Sequence, residues 1–313
     1  MEPLFLKGVL QEKIWGGTKL RENYGYDIPS DKTGELWAIS AHPNGVTTVL
    51  NGEYKGQALD QLWENHRELF GNQPGEVFPL LTKIIDAQGD LSVQVHPDDA
   101  YGLAHEGELG KTECWYVLSA DPGSKIVYGH TAQTKDELRE LIEAGKWDQL
   151  LKEVEVQAGD FFYVPSGTIH ALGSGVMVLE TQQSSDTTYR LYDYDRVDDE
   201  GNPRELHIEE SIDVTTVPAK ENPVEPTTED LENGQITTLV SNPFFTVFEW
   251  KIDGPVSFTQ ESFYTLVSVI DGEGTLEADG QSYPISKGDH FILPNQIQKW
   301  ELDGNLHIIA SHP

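Results

Sequence analysis

Two segments of this chain repeat one short design. GDFFYVPSGTIH begins at Gly159 and GDHFILPNQIQK at Gly288; each opens Gly-Asp, runs through alternating apolar residues and reaches a proline, Pro165 or Pro294. Alternation of period two makes a strand, and the Gly-Asp and Pro bound it with turns. A strand-turn-strand unit used twice predicts two β-rich units of related architecture. The copies differ where chemistry would matter. Eleven residues after the glycine stands His170 in the first copy and Lys299 in the second, so only the first offers a metal ligand there.

Short β-rich runs surround the first copy: FPLLTKII, DLSVQVH, ECWYVLS, SKIVYG, GVMVLETQQ and TTYRLYDY, broken by turn residues. Such runs suit a barrel or a sandwich. The segment before about Gly75 reads as an accessory layer with one helix, ALDQLWENHRELF, stopped by Gly71. A helical insertion is predicted near 134–153, opened by the capping box Thr134 and Glu137. RELHIEESIDV reads as a further helix. VPAKENPVEPTTEDLENG has little to bury, so a linker is placed at 217–234, between a unit spanning 1–216 and a second at 235–313.

The 313 residues include 53 Asp and Glu against 21 Lys and Arg, a net charge of -32. That field opposes any sequence-independent grip on nucleic acid or an anionic membrane, and neither is expected as a partner. An anionic small substrate would need a few placed cations. The single cysteine, Cys114, excludes an internal disulfide and a cysteine-cluster metal site, and makes the cytoplasm the expected compartment. No signal-peptide pattern and no apolar run of the ~20 residues that span a bilayer is present. Oligomeric state is not legible.

QVHP sets Gln94 and His96 two apart, on one face if the segment is a strand. KTECWYVL offers Glu113 at a strand start, with Lys111 two residues earlier. His170 completes the set after a Pro-Ser-Gly turn. Two imidazoles, a carboxylate and an amide oxygen suit zinc or another first-row divalent ion, one per chain, and leave it able to polarise a substrate oxygen. His42, His66, His105, His130, His207, His290, His307 and His312 lack comparable settings and receive no role.

GELWAISAHPNG, LLTKIIDAQGDLSVQVHPDD, GKTECWYVL, GDFFYVPSGTIHALG and SSDTTYRLYDYDR occur in an order that resembles the type I mannose-6-phosphate isomerases in their short bacterial form, over nearly the whole length. The resemblance implies a mainly β fold of two cupin barrels with a helical insertion and N-terminal additions. It implies zinc on Gln94, His96, Glu113 and His170, an active-site role for Arg190, Asp186 and Lys111, and a pocket lined by Lys83 and Ser92. The long eukaryotic form carries Asn-His-Lys-Pro-Glu where this chain has GKTE, so a ring-opening role for that histidine does not transfer. Trp37 and Glu35 read as a buried aromatic and a satisfied carboxylate as readily as substrate contacts.

The implied reaction interconverts mannose 6-phosphate and fructose 6-phosphate through an enediol. Arginine is always charged, so Arg190 is expected to stabilise developing negative charge, and Lys111 is the better candidate to carry the proton. The phosphate-binding cation is not identified. A non-catalytic sugar-binding cupin and a metal dioxygenase are the alternatives, since fold alone does not separate them. Neighbouring cations argue against the first, and the Gln ligand against the second.

Overall fold

The computed structural model describes residues 1–313, and they form a mainly β protein of the cupin type. Three sheets carry it. A six-stranded sheet runs in the order Phe161–Val164, Glu113–Ala120, Val176–Gln183, Leu80–Ala87, Thr33–Ile39, Val9–Gly17. A five-stranded sheet runs Tyr189–Tyr192, Val93–Val95, His170–Leu172, Lys125–His130, Leu151–Glu155. The third, of ten strands, is built mostly from residues after 226 around Thr265–Ala278 and Lys299–His312.

Strands Leu80–Ala87 and Val176–Gln183 are buried at every position, because both faces of the six-stranded sheet are covered. Side chains alternate accordingly. Leu80, Ile84, Met177 and Leu179 enter a central core shared with Ile309 of the ten-stranded sheet and with Phe245 and Tyr264, which immediately precede its strands Thr246–Asp253 and Thr265–Ala278. Ile85, Ala87, Val176 and Val178 enter an inner core with Ile126 and Leu172 of the five-stranded sheet. The ten-stranded sheet encloses a further core of its own, including Trp250, Val269, Phe291 and Ile308.

Four expectations change in detail. The segment before Gly75 is integral rather than accessory: Leu4–Lys7 pairs with His290–Leu293, and Val9–Gly17 and Thr33–Ile39 extend the six-stranded sheet. The helix read over ALDQLWENHRELF breaks at His66 into Leu59–Asn65 and a 3-10 turn Arg67–Phe70, ended by Gly71 at φ 61°. The insertion near 134–153 holds helices Lys135–Glu143 and Trp147–Leu150, but Leu151–Glu155 is an exposed strand paired with Lys125–His130, since its backbone turns extended at Leu151. Within the stretch read as a linker, Thr227–Leu231 is a strand hydrogen-bonded to Gly234–Ser241. Its side chains bury little, and backbone pairing alone makes it regular. Helix Ile208–Val214 falls within the predicted RELHIEESIDV segment. No helix is long and apolar enough to cross a membrane.

Candidate metal centre

The alternation that builds the inner core also gathers its polar groups. Glu113 shares the phase of Trp115 and Val117, Lys83 that of Ile85, Glu180 that of Val178 and Val176, so all three face the five-stranded sheet. From that sheet come Gln94 and His170, which are register partners, and Arg190, which pairs with Gln94 on its other side. His96 follows at the end of its strand.

His96, Glu113 and His170 are buried and bring one ligand atom each to within 4.8 Å of one another. Nε2 of His170 lies 3.1 Å from Oε1 of Glu113, and Nε2 of His96 3.4 Å from its Oε2. These approaches lack hydrogen-bond geometry, so both Nε2 atoms and Oε2 stand buried without a hydrogen-bond partner. Buried polar atoms are seldom left so. The far side of each ring is satisfied: Nδ1 of His96 donates to the Thr187 carbonyl at 3.0 Å, and Nδ1 of His170 to the Thr168 carbonyl at 2.8 Å. A carbonyl only accepts, so the proton sits on Nδ1 and the Nε2 lone pair points at the cluster. Burial, helped by Lys111, pushes His96 down to about 3, which keeps the ring neutral. Burial alone would raise the Glu113 carboxyl, but His96, Lys111 and His170 hold it well below the usual range. Two imidazoles and a carboxylate with free atoms converging on one point fit a divalent cation.

A cavity opens beside the cluster. It is lined by Gln94 and Glu113 together with Lys83, Ser92, Lys111, Asp186 and Arg190, which brings seven of the nine residues singled out in the sequence to one wall. Nζ of Lys111 lies 3.7 Å from Glu113. Lys83 is buried between Glu35 at 3.6 Å and Glu180 at 3.9 Å, over the Trp37 ring. Burial would lower this lysine, and the two carboxylates reverse that and raise it. Arg190 is half-buried and donates to the Glu205 carbonyl at 2.8 Å.

Four further charged residues line the same cavity: Lys13, Glu180 and Arg204, which the sequence reading did not single out, and Glu35, which it weighed without assigning to the site. Trp37 donates to Glu35 and Trp115 to Glu180, each at 2.7 Å. Burial would raise Glu35 too, but Lys83 and Lys13 bring it down to about 2; burial, reinforced by Glu113, pushes Glu180 up to about 7. The phase of GVMVLETQQ was the available signal for Glu180, the one acid on a strand face it shares with Val176, Val178 and Gln182.

The sheets and the buried His-Glu-His cluster define a cupin-type protein with a candidate metal centre. Residues 4–119 match the model of the phosphomannose isomerase type I catalytic domain, and residues 235–313 that of the mannose-6-phosphate isomerase cupin domain. The mannose-6-phosphate isomerase of Streptococcus mutans is 61% identical over 99% of this chain and 98% of its own length. ManA of Bacillus subtilis, also a mannose-6-phosphate isomerase, is 53% identical over 99% of each chain. A crystal structure of the mannose 6-phosphate isomerase from Bacillus subtilis superposes with a TM-score of 0.98 at 50% identity over 100% of both chains. A phosphomannose isomerase structure from Salmonella typhimurium shares the fold at 17% identity and a TM-score of 0.82. The chain belongs to the type I mannose-6-phosphate isomerase family.

Proposed function

We propose that this chain is an aldose-ketose isomerase that interconverts mannose 6-phosphate and fructose 6-phosphate in the cytoplasm, using one zinc ion held by Gln94, His96, Glu113 and His170. The observation that carries the reading is the buried cluster of unpartnered ligand atoms opening on a cavity walled by lysines and arginines, in a chain 61% identical throughout to a mannose-6-phosphate isomerase. In this reading the first of two cupin barrels carries the metal, and the second lacks it because exposed Lys299 stands in place of His170.

When bound, the cation supplies positive charge that stabilises an anionic substrate oxygen. The protein supplies the rest. Arg190 stabilises negative charge on the enediolate, since a guanidinium stays charged and forms no ion pair here. Lys111, buried against Glu113, is the group read as moving the proton between the C1 and C2 carbons. Lys83, fixed by Glu35 and Glu180, and Ser92 and Asp186 orient the sugar. Lys13, which makes no ion pair, and Arg204 are the cations left on the cavity wall to meet the phosphate.

Purified protein incubated with mannose 6-phosphate is expected to form ketose, to lose that activity on chelation and to regain it with Zn²⁺, at one ion per chain. Unphosphorylated mannose is expected to react poorly, because phosphate contacts supply binding energy remote from the reacting carbons. Equal turnover of mannose and its phosphate, or full activity after chelation, contradicts the reading.

A further inference from the structure

Between Gln183 and Tyr189 the chain leaves the sheets and has no ladder to hold it. Yet this stretch bears the Thr187 carbonyl, which sets the tautomer of His96, and it bears Asp186 on the cavity wall. Its first residues are tied by the Ser184 amide to the Pro79 carbonyl and by Gln182 to the Ser185 carbonyl, and residues 185–187 converge on one carboxylate. Oε2 of Glu108 accepts from the Ser185 hydroxyl at 3.1 Å, the Asp186 amide at 3.0 Å and the Thr187 hydroxyl at 3.0 Å. Oε1 accepts from Nε2 of His42 at 2.8 Å.

His42 is itself determined. It is buried, edge-on to Trp37 with ring centroids 5.7 Å apart, and its Nδ1 accepts the Asn44 amide at 3.2 Å. An acceptor at Nδ1 puts the ring proton on Nε2, where it points at Glu108. The Asn44 side chain closes the circuit by donating to Asp186 at 2.8 Å. A fixed imidazole on one side and three donors on the other leave Glu108 one position.

We infer that Glu108, braced by His42, is a positioning residue that presents the Thr187 carbonyl to His96 and so orients that imidazole toward the metal. The inference rests on the metal-dependent isomerase reading. A carbonyl that orients a metal-bound imidazole is worth a substantial part of the affinity, and loss of such a support weakens metal binding about 10-fold to 100-fold.

The test is Zn²⁺ uptake by metal-stripped protein in competition with a chromophoric chelator, for wild type, Glu108→Ala and Glu108→Gln. Glu108→Ala is expected to bind Zn²⁺ about 10-fold to 100-fold more weakly, and its turnover of mannose 6-phosphate to recover as free Zn²⁺ is raised. Glu108→Gln keeps an oxygen for the loop but sets an amide NH₂ against the His42 N–H, so its affinity should fall between the two. It carries the test should the alanine variant not fold. Wild-type affinity in the variants overturns the inference alone. A wild type that takes up no Zn²⁺ overturns both the inference and the reading beneath it.

Discussion

Arg190 shows what strand phase could and could not say about one side chain. Its segment, TTYRLYDYDR, is rich in aspartates, and a surface ion pair with Asp186, Asp193 or Asp195 was the alternative to a cavity position. The structure settles where it lies. Asp193 is taken by Arg196 at 2.6 Å and by Arg204 at 2.7 Å, while Arg190 lines the same cavity as Glu113 with its Nε buried and unpartnered. Arg190→Ala is therefore expected to lower kcat roughly 100-fold or more with a smaller change in KM, because the contact forms mainly as negative charge develops. Metal content should not change. Steady-state kinetics beside metal analysis check this, and near-normal kcat would remove Arg190 from the chemistry. Gln94, His96, Glu113 and His170 were legible beforehand from spacing along one strand or beside one turn, whereas Lys83, Ser92 and Asp186 and the roles of Lys111 and Arg190 came through the family resemblance. Glu180 and Glu108 were not legible, and Glu35 was left between a satisfied carboxylate and a substrate contact, because their meaning comes from partners distant in the chain: Lys83 for Glu35 and Glu180, and His42 and the 185–187 loop for Glu108.

The elements were legible where burial on one or both faces gave a clear period, and blurred where neither face is buried. Leu151–Glu155 and Thr227–Leu231 are exposed strands, held by pairing to neighbours that no local pattern announces. Helix Lys135–Glu143 was announced by its cap: the Thr134 hydroxyl accepts the Glu137 amide at 3.1 Å. Leu138 and Ile142 seat it in a core with Ile212, and Lys135 adds a polar tie: its ammonium donates to the Ile212 carbonyl, to that of Asp213 at 3.0 Å and to that of Thr215 at 2.6 Å. These carbonyls end the helix Ile208–Val214, where a cation complements the helix dipole and the unsatisfied acceptors. Lys135→Met is expected to destabilise the fold by about 1–3 kcal/mol, the worth of losing charge-assisted hydrogen bonds, with Zn²⁺ affinity unchanged. Denaturant unfolding of the metal-free protein reads the first, and a chelator competition the second. A change in Zn²⁺ affinity would mean that this helix pair also shapes the metal centre.

Across the whole molecule the six-stranded and ten-stranded sheets share the central core, but one polar clasp also joins them. Tyr116 of the first donates to Glu249 of the second at 2.6 Å, and His307 approaches the same oxygen at 2.8 Å, with Lys251 at 3.3 Å. Burial would raise the Glu249 carboxyl, but the His307 and Tyr116 hydrogen bonds outweigh it and bring it down to about 2 from an ordinary 4.5. A carboxyl depressed by folding adds stability that is complete above its unfolded value and fades as pH falls towards its folded one. The clasp should therefore act fully near neutrality and weaken progressively from pH 4.5 down to about 2. Glu249→Gln keeps an acceptor for Tyr116 but removes the charge, and is expected to cost about 1–3 kcal/mol at neutral pH. The gap between variant and wild type should narrow as the pH is lowered through that window, because the wild-type carboxyl then becomes neutral as well. Thermal unfolding of both proteins at a series of pH values measures the gap directly. The metal must be stripped first, since acid also releases ligands from the cation and would lower both curves for a separate reason. A gap that stays constant down to the lowest pH would show that Glu249 contributes through shape and not charge, and would leave the apolar core as the whole of what holds the two sheets together.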